Sequence, residues 1–439
     1  MRIRLALHHL PLTLITVAAS IGAPACGDSS SNDHPIDAGS RPDSAYPTVD
    51  APYTVDASPV PDASPIVDAA VDAARPPVDA APLGQVTTFA QFNNTVAVGI
   101  AVSRTGRTFM AFSRAIDEHV PYSVAEMVNG APHVFPAGLN QNTGVPAPDR
   151  LLSVQAVTVD ALDRLWILDT SKVGQATIVP GTPKLIAVDL RTNQVVQTIF
   201  FPAAVAGANA MLNDVRIDLS KGAAGVAFVT DSSSPGPNGI VVVDLATGTA
   251  IRRLNDAPST RPEPNLIITA EGQPLTIEQG AGAGTPLRVG SDGIALDADG
   301  HHLYYRALTG HHLYRVSSDA LATPTTSDAD VAATIEDLGD LGFASDGLLA
   351  DAQGRLYLTD FEHNAIHRRN ADGSIVLIAQ DPQLLWTDSL ALKPDGTLLI
   401  TATQIERGPL LHGTDARVRP LTVWQIGTDS AQLTLGATP

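Results

Sequence analysis

The sequence predicts an all-β fold, a six-bladed β-propeller of four-stranded blades preceded by a disordered linker. Two observations predict it. Six segments fit one template of a small or polar residue, an apolar strand and a hairpin turn: 98–106 (VGIAVSRTG), 155–163 (QAVTVDALD), 214–222 (DVRIDLSKG), 292–300 (DGIALDADG), 346–354 (DGLLADAQG) and 388–396 (DSLALKPDG). Their starts lie 57, 59, 78, 54 and 42 residues apart, intervals that suit four short strands per repeat. From residue 84 onward, β-branched and apolar runs alternate with Gly, Asn and Asp, without a helical period.

Each template segment leads into a second strand, at 108–112, 164–168, 226–229, 303–305, 355–358 and 397–400. Third strands are legible at 184–188, 239–243 and 312–316. The longest interval is stretched by a loop-rich insertion between Asp256 and Gly290. Residues 85–89 have no blade of their own. They are expected to pair with the last blade around 421–424, because an unclosed ring would expose strand edges.

The first 83 residues have a different texture. Arg2 and Arg4 precede an apolar run over 5–21, and Ala23, Pro24 and Ala25 lead into Cys26, the only cysteine of the 439 residues. This is a secretory signal, too short to favour a permanent membrane span. A lone cysteine at that point resembles the lipobox of bacterial lipoproteins, which implies acylation of Cys26 and a membrane attachment through lipid alone. An ordinary cleaved signal leaving a free thiol is the alternative. Residues 27–82 contain no Leu, Phe, Trp or Met, and Val-Asp-Ala recurs at Val49, Val55, Val67, Val71 and Val78. Such a segment cannot bury enough apolar surface to order itself. The expected division is therefore a lipoprotein-type signal peptide (1–26), a disordered Asp/Ala/Pro-rich linker (27–83) and the propeller (84–439), exported to the cell envelope or secreted.

Charge narrows the partners. With +2 from Arg2 and Arg4 and −8 from the linker, −13 of the net −19 falls on the remainder. That sign argues against nucleic acid and is compatible with a small cationic ligand or a metal.

In a propeller the starts of the inner strands converge on one mouth of the central channel. Gln155, Asp214, Asp292, Asp346 and Asp388 occupy that position, with Val98 in the first blade. Asp360 and Phe361 are expected in the loops around the same mouth, together with Asp169, Asp231, Arg306, Glu362 and Asn364. Converging carboxylates repel one another and call for a proton, hydrogen bonds or a cation. A divalent cation such as calcium, held by Asp292 and Asp346, is one solution. A protonated amine held by Asp and the Phe361 ring is another. The structural alternative is that Asp before Gly caps backbone N–H groups and stitches neighbouring blades.

Other motifs carry less. Gly280, Gly282 and Gly284 lack the strand and helix that a phosphate loop requires. His301–His302 and His311–His312 lack a third ligand at zinc spacing. Neither a Gly-x-Ser-x-Gly elbow nor His-Glu-x-x-His occurs, and Trp166 and Trp386 read as blade packing. No catalytic motif is complete, so the residues leave open whether this is an enzyme.

The segments 120–126 (VPYSVAE), 133–136 (HVFP), 153–160, 164–170 (RLWILDT), 183–190 (PKLIAVDL), 239–245, 291–296, 303–305 and 383–390 (QLLWTDSL) occur in order across residues 90–404. Together they resemble the yellow / major royal jelly protein family, six-bladed propellers known mainly from insects and with bacterial members. The resemblance implies extracellular proteins, some binding small amines in the channel and some associated with dopachrome conversion. The disulfides usual in the insect proteins are absent, which weakens any transfer of insect biology. A weaker resemblance runs to the gluconolactonase / regucalcin propellers, where acidic and Asn residues from several blades hold a divalent cation. Val98 leaves that metal site incomplete. The expectation is a small-molecule-binding propeller; the alternatives are a metal-dependent lactonase-like hydrolase and a non-catalytic protein-interaction module.

Overall fold

A computed structural model describes residues 84–117, 119–140, 144–174, 176–277 and 284–436. The expectations for the signal peptide, Cys26, the linker, Gly280 and Gly282 lie outside the described residues.

The described residues form six antiparallel four-stranded sheets arranged as blades. Blade 1 comprises Gly99–Val102, Thr108–Ala111, Val124–Val128 and Ala131–Val134; blade 2 comprises Val154–Val159, Arg164–Asp169, Lys184–Asp189 and Gln194–Phe200. Blade 3 runs Leu212–Asp218, Val226–Asp231, Gly239–Asp244 and Ala250–Arg253; blade 4 runs Ser291–Leu296, His302–Ala307, His312–Ser317 and Glu336–Asp340. Blade 5 contains Leu348–Ala350, Leu356–Asp360, Ala365–Arg369 and Ile375–Gln380. In blade 6, Thr387–Leu392, Thr397–Ala402 and Leu421–Gly427 are completed by the N-terminal strand Thr87–Phe92. That strand pairs from Thr87 opposite Gln425 to Phe92 opposite Leu421. Closure therefore takes the expected form, with the strand ending three residues later than the sequence pattern indicates.

Alternation of apolar residues on both faces of each blade lets neighbouring blades stack. Trp166, Leu168 and Leu185 of blade 2 pack on Val215, Val229 and Val241 of blade 3, and Phe109 of blade 1 packs with Val157 and Ile167 of blade 2. The buried ion pair Lys184–Asp169, 3.0 Å, sits inside this packing. Three one-turn helices, Ser318–Ala322, Asp328–Ala332 and Pro409–His412, leave no period in the sequence. The first two are set by Ser317 and Ser327, whose hydroxyls accept from Ala320 and Asp330 N–H.

The insertion between blades 3 and 4 folds into two short hairpins, Thr269–Ala270 with Gln273–Pro274 and Thr276–Ile277 with Thr285–Pro286. Its apolar side chains Ile268, Leu275 and Leu287 form one cluster with Phe361, Trp386 and Leu411. The insertion and the blade 6 loop thus make a cap on the face where the inner strands begin.

At the other face, the C-terminal segment crosses the channel. Gln432 Nε2 donates to Leu392 O at 2.6 Å and to Val102 O at 3.3 Å, Ala352 N–H donates to Ala431 O, and Leu219 N–H donates to Leu435 O. These contacts reach blades 1, 3, 5 and 6.

Candidate functional site: a carboxylate ring at the channel mouth

The template residue lies at a β-bulge in four blades. Pairing between the first two strands shifts between Val154 and Ala156, Leu212 and Val215, Ser291 and Ile294, and Thr387 and Leu390. A bulge releases a residue from the ladder and re-aims its side chain. Gln155, Asp214, Asp292 and Asp388 are the residues so placed.

Glycine at the following position serves close approach of the next blade. A Cβ on Gly293 would lie 2.3 Å from Asp346 O, one on Gly347 would lie 2.0 Å from Asp388 O, and one on Gly99 would lie 3.2 Å from Gln155 O. The backbones of Gln155, Asp346 and Asp388 therefore rest against the glycine of the preceding blade, which explains Asp292-Gly293 and Asp346-Gly347 without any capping role for the carboxylate.

Among the described residues, the four carboxylates receive hydrogen bonds from side chains. Asn213 Nδ2 donates to Asp292 Oδ1 at 2.5 Å, Trp386 Nε1 to Asp346 Oδ2 at 2.7 Å, and Ser389 Oγ to Asp388 Oδ1 at 3.3 Å. Asp214 Oδ2 is 3.5 Å from Arg216 Nη2, which also donates to Leu348 O at 2.7 Å. Burial, then the charges of Asp346 and Asp214, push the Asp292 carboxyl well above the usual carboxylate range, and Asp292 shares a hydrogen bond with Asp346. Burial also raises Asp346 to about 7 against the opposing Trp386 hydrogen bond. Asp388 is pushed well up by burial and by Asp346, Asp292 and Asp214. Asp214 is raised by burial and partly restored by Arg216. The ring therefore holds protons or a cation at neutral pH.

Beneath it lies a cavity of about 130 Å³. Asp214, Arg216 and Ser389 line it, its walls include Ile100, Val157, Leu296 and Leu390, and Gln432 and Leu435 of the C-terminal segment also line it.

The model of the family described as major royal jelly protein matches residues 152–407, more than half of the chain. The chain belongs to the major royal jelly protein family. The matched span holds Gln155 and all four ring aspartates. Major royal jelly protein 6 of Apis mellifera is 27% identical over 172 residues, covering 38% of this chain and 36% of the relative. Major royal jelly protein 3 of the same species is 24% identical over 188 residues, 41% of this chain and 31% of the relative. The match spans about a third of the length of these curated relatives. Among solved structures, a luciferin-regenerating enzyme shares the fold, with a TM-score of 0.51, 12% identity and coverage of 81% of this chain and 100% of that one.

In this royal jelly family member the other candidate residues have different surroundings. Gln155 Oε1 accepts from Ser113 Oγ at 2.7 Å. Asp360 is 1% exposed and within 3.0 Å of His363 Nδ1 and His367 Nε2. Burial opposes its ionisation, but those histidines hold its carboxyl below the usual range. Phe361 is buried in the cap, stacked on Trp386 with ring centroids 4.4 Å apart, so its face is occupied by protein. Asp169 and Asp231 accept backbone N–H groups of Leu152, Ser153, Met211 and Ser233 and pair with Lys184 and Arg252, a structural use of carboxylates. The four blade 4 histidines each meet an acid: His301 with Asp319, His302 with Asp297, His311 with Glu362 and His312 with Asp337.

Sequence reasoning missed Arg216 and Asn213 as partners of the ring, and it read Trp386 as packing alone. Arg216 was findable: two residues beyond Asp214 on a strand, it shares the channel face.

Proposed function

We propose that this chain is an exported, lipid-anchored propeller that binds a small organic cation, a protonated amine, at the carboxylate ring of its channel. The observation that carries this is charge: Asp214, Asp292, Asp346 and Asp388 converge on a buried mouth with Arg216 as their one basic partner among the described residues. An ammonium group can replace the protons that the ring otherwise retains, and the apolar channel wall suits a short hydrocarbon body. Phe361 is not required, because its ring already stacks on Trp386. The lipid anchor rests on Arg2, Arg4, the apolar run and Cys26.

The test is thermal unfolding of the chain with butylammonium, 1-butanol and calcium chloride as separate probes. A ligand that binds only the native state raises the midpoint. Butylammonium is expected to raise it, saturably and more at pH 8 than at pH 6. A response to calcium alone would instead support the metal-dependent hydrolase reading. Mass analysis of the N-terminal peptide tests acylation at Cys26, which Cys26→Ser should abolish.

A further inference from the structure

A second cavity lies in the cap, away from the channel. It has a volume of about 250 Å³ and is formed by the insertion hairpins, the turn Ile405–Arg407 and the helix Pro409–His412. Its lining includes Glu271, Leu275, Glu406, Arg407, Leu411 and His412.

Glu406 sets its chemistry. The side chain is 5% exposed, and neither carboxyl oxygen has a hydrogen-bond partner. Its own backbone N–H faces the carboxylate without completing a bond, and Arg407 Nε stands 3.9 Å from Oε1. Arg407 is already engaged: Nε donates to Glu271 Oε2 at 2.7 Å, and Nη2 donates to Glu271 Oε1. A buried carboxylate with both oxygens unmatched is costly, and native structures rarely leave such a group without a reason.

We propose that this cavity is a second binding site, which takes a small organic ammonium whose N–H groups donate to Glu406 and whose short apolar body lies against Leu275 and Leu411. With Glu271 and Arg407 cancelling each other, the site has room for one positive charge. A hard divalent cation fits poorly, because it needs six or more oxygen ligands and Glu271 is committed to Arg407. Burial pushes the Glu406 carboxyl up to about 7, with Glu271 adding to the rise and Arg407 opposing it. The titratable groups facing it are thus Glu271 on the hairpin, Arg407 on its own turn and His412 on the helix. Raising the pH ionises Glu406, which favours a cationic ligand.

The site is independent of the channel ring, and the test keeps the two apart. Butylammonium binding to the full chain is followed by calorimetric titration at pH 8 in wild type, Glu406→Gln, Ala416→Leu and Asp292→Asn, with 1-butanol and calcium chloride as controls. Glu406→Gln removes the charge in nearly the same shape; Ala416 also lines the cavity, and Ala416→Leu narrows it and leaves Glu406 intact. Both should weaken one binding event at least tenfold and leave thermal unfolding of the free protein cooperative. Asp292→Asn should leave this event unchanged, even where no channel binding is observed. Unchanged stoichiometry and affinity in Glu406→Gln, or equal binding of 1-butanol, would overturn the proposal.

Discussion

Trp386 ties the channel to the cap: its indole Nε1 donates to Asp346 Oδ2 at 2.7 Å while its ring stacks on Phe361 with centroids 4.4 Å apart. One side chain thus positions a ring carboxylate and anchors the insertion. Trp386→Phe keeps an aromatic face and removes the donor. Leaving a buried acceptor unmatched costs about 1–3 kcal/mol. Because the lost bond favours the ionised Asp346, the loss should be larger at pH 8.5 than at pH 5.5, as read by chemical denaturation at each pH.

The contact of Gly347 with Asp388 predicts a steric penalty at a position with no positive φ. A Cβ there would stand 2.0 Å from a backbone oxygen, so Gly347→Ala must displace blade 6. Overpacking of this kind costs about 1–3 kcal/mol or more. Gly207→Ala, whose added Cβ would meet only Ala203 O at 3.8 Å, is the control and should be near neutral in the same denaturation assay.

The raised carboxyls fix the direction of a pH dependence. Asp346 rises from 3.8 to about 7, and Asp292 and Asp388 also stand well above their ordinary value. The native state therefore holds protons that the unfolded chain releases, and stability falls as pH climbs through the folded values. The contribution is full below about pH 4 and is lost from there through about pH 7 and beyond. Asp388→Asn mimics the protonated form, so its unfolding midpoint should exceed that of wild type by about 2 °C or more at pH 8 and match it near pH 4. Scanning calorimetry across that range checks the sign.

Ring closure depends on a strand far away in sequence. Phe92 is 5% exposed, lies in the closing strand and meets Phe112 edge-on at 5.3 Å. Phe92→Ala should cost about 3–5 kcal/mol in chemical denaturation. Removing residues up to Phe92 should expose the edge of Leu421–Gly427 and promote association, visible by light scattering.

The repeat made the blades legible because each strand carries its own period-two pattern and turn residues, both local signals. Closure was legible for the same reason: residues 85–89 had a strand pattern and no partner nearby. The convergence of Asp214, Asp292, Asp346 and Asp388 followed from equivalent positions in a ring. What local pattern could not supply was the path of the insertion. Phe361 looked available in the sequence because nothing near it in the chain indicates that the cap built around Ile268 and Leu275 would cover it. Asp360, by contrast, draws its partners His363 and His367 from its own hairpin, where the signal was local. Glu406 gave no signal, since its isolation arises only where residues 270–276 of the insertion and the blade 6 loop meet.

The most direct test of the central claim is the butylammonium-induced shift in thermal midpoint at pH 8, measured on Glu406→Gln so that the cap site is silent. A saturable rise that disappears when Asp346→Asn and Asp388→Asn are added is the predicted result. No rise, or an equal rise after those carboxylates are neutralised, would contradict cation binding at the channel ring.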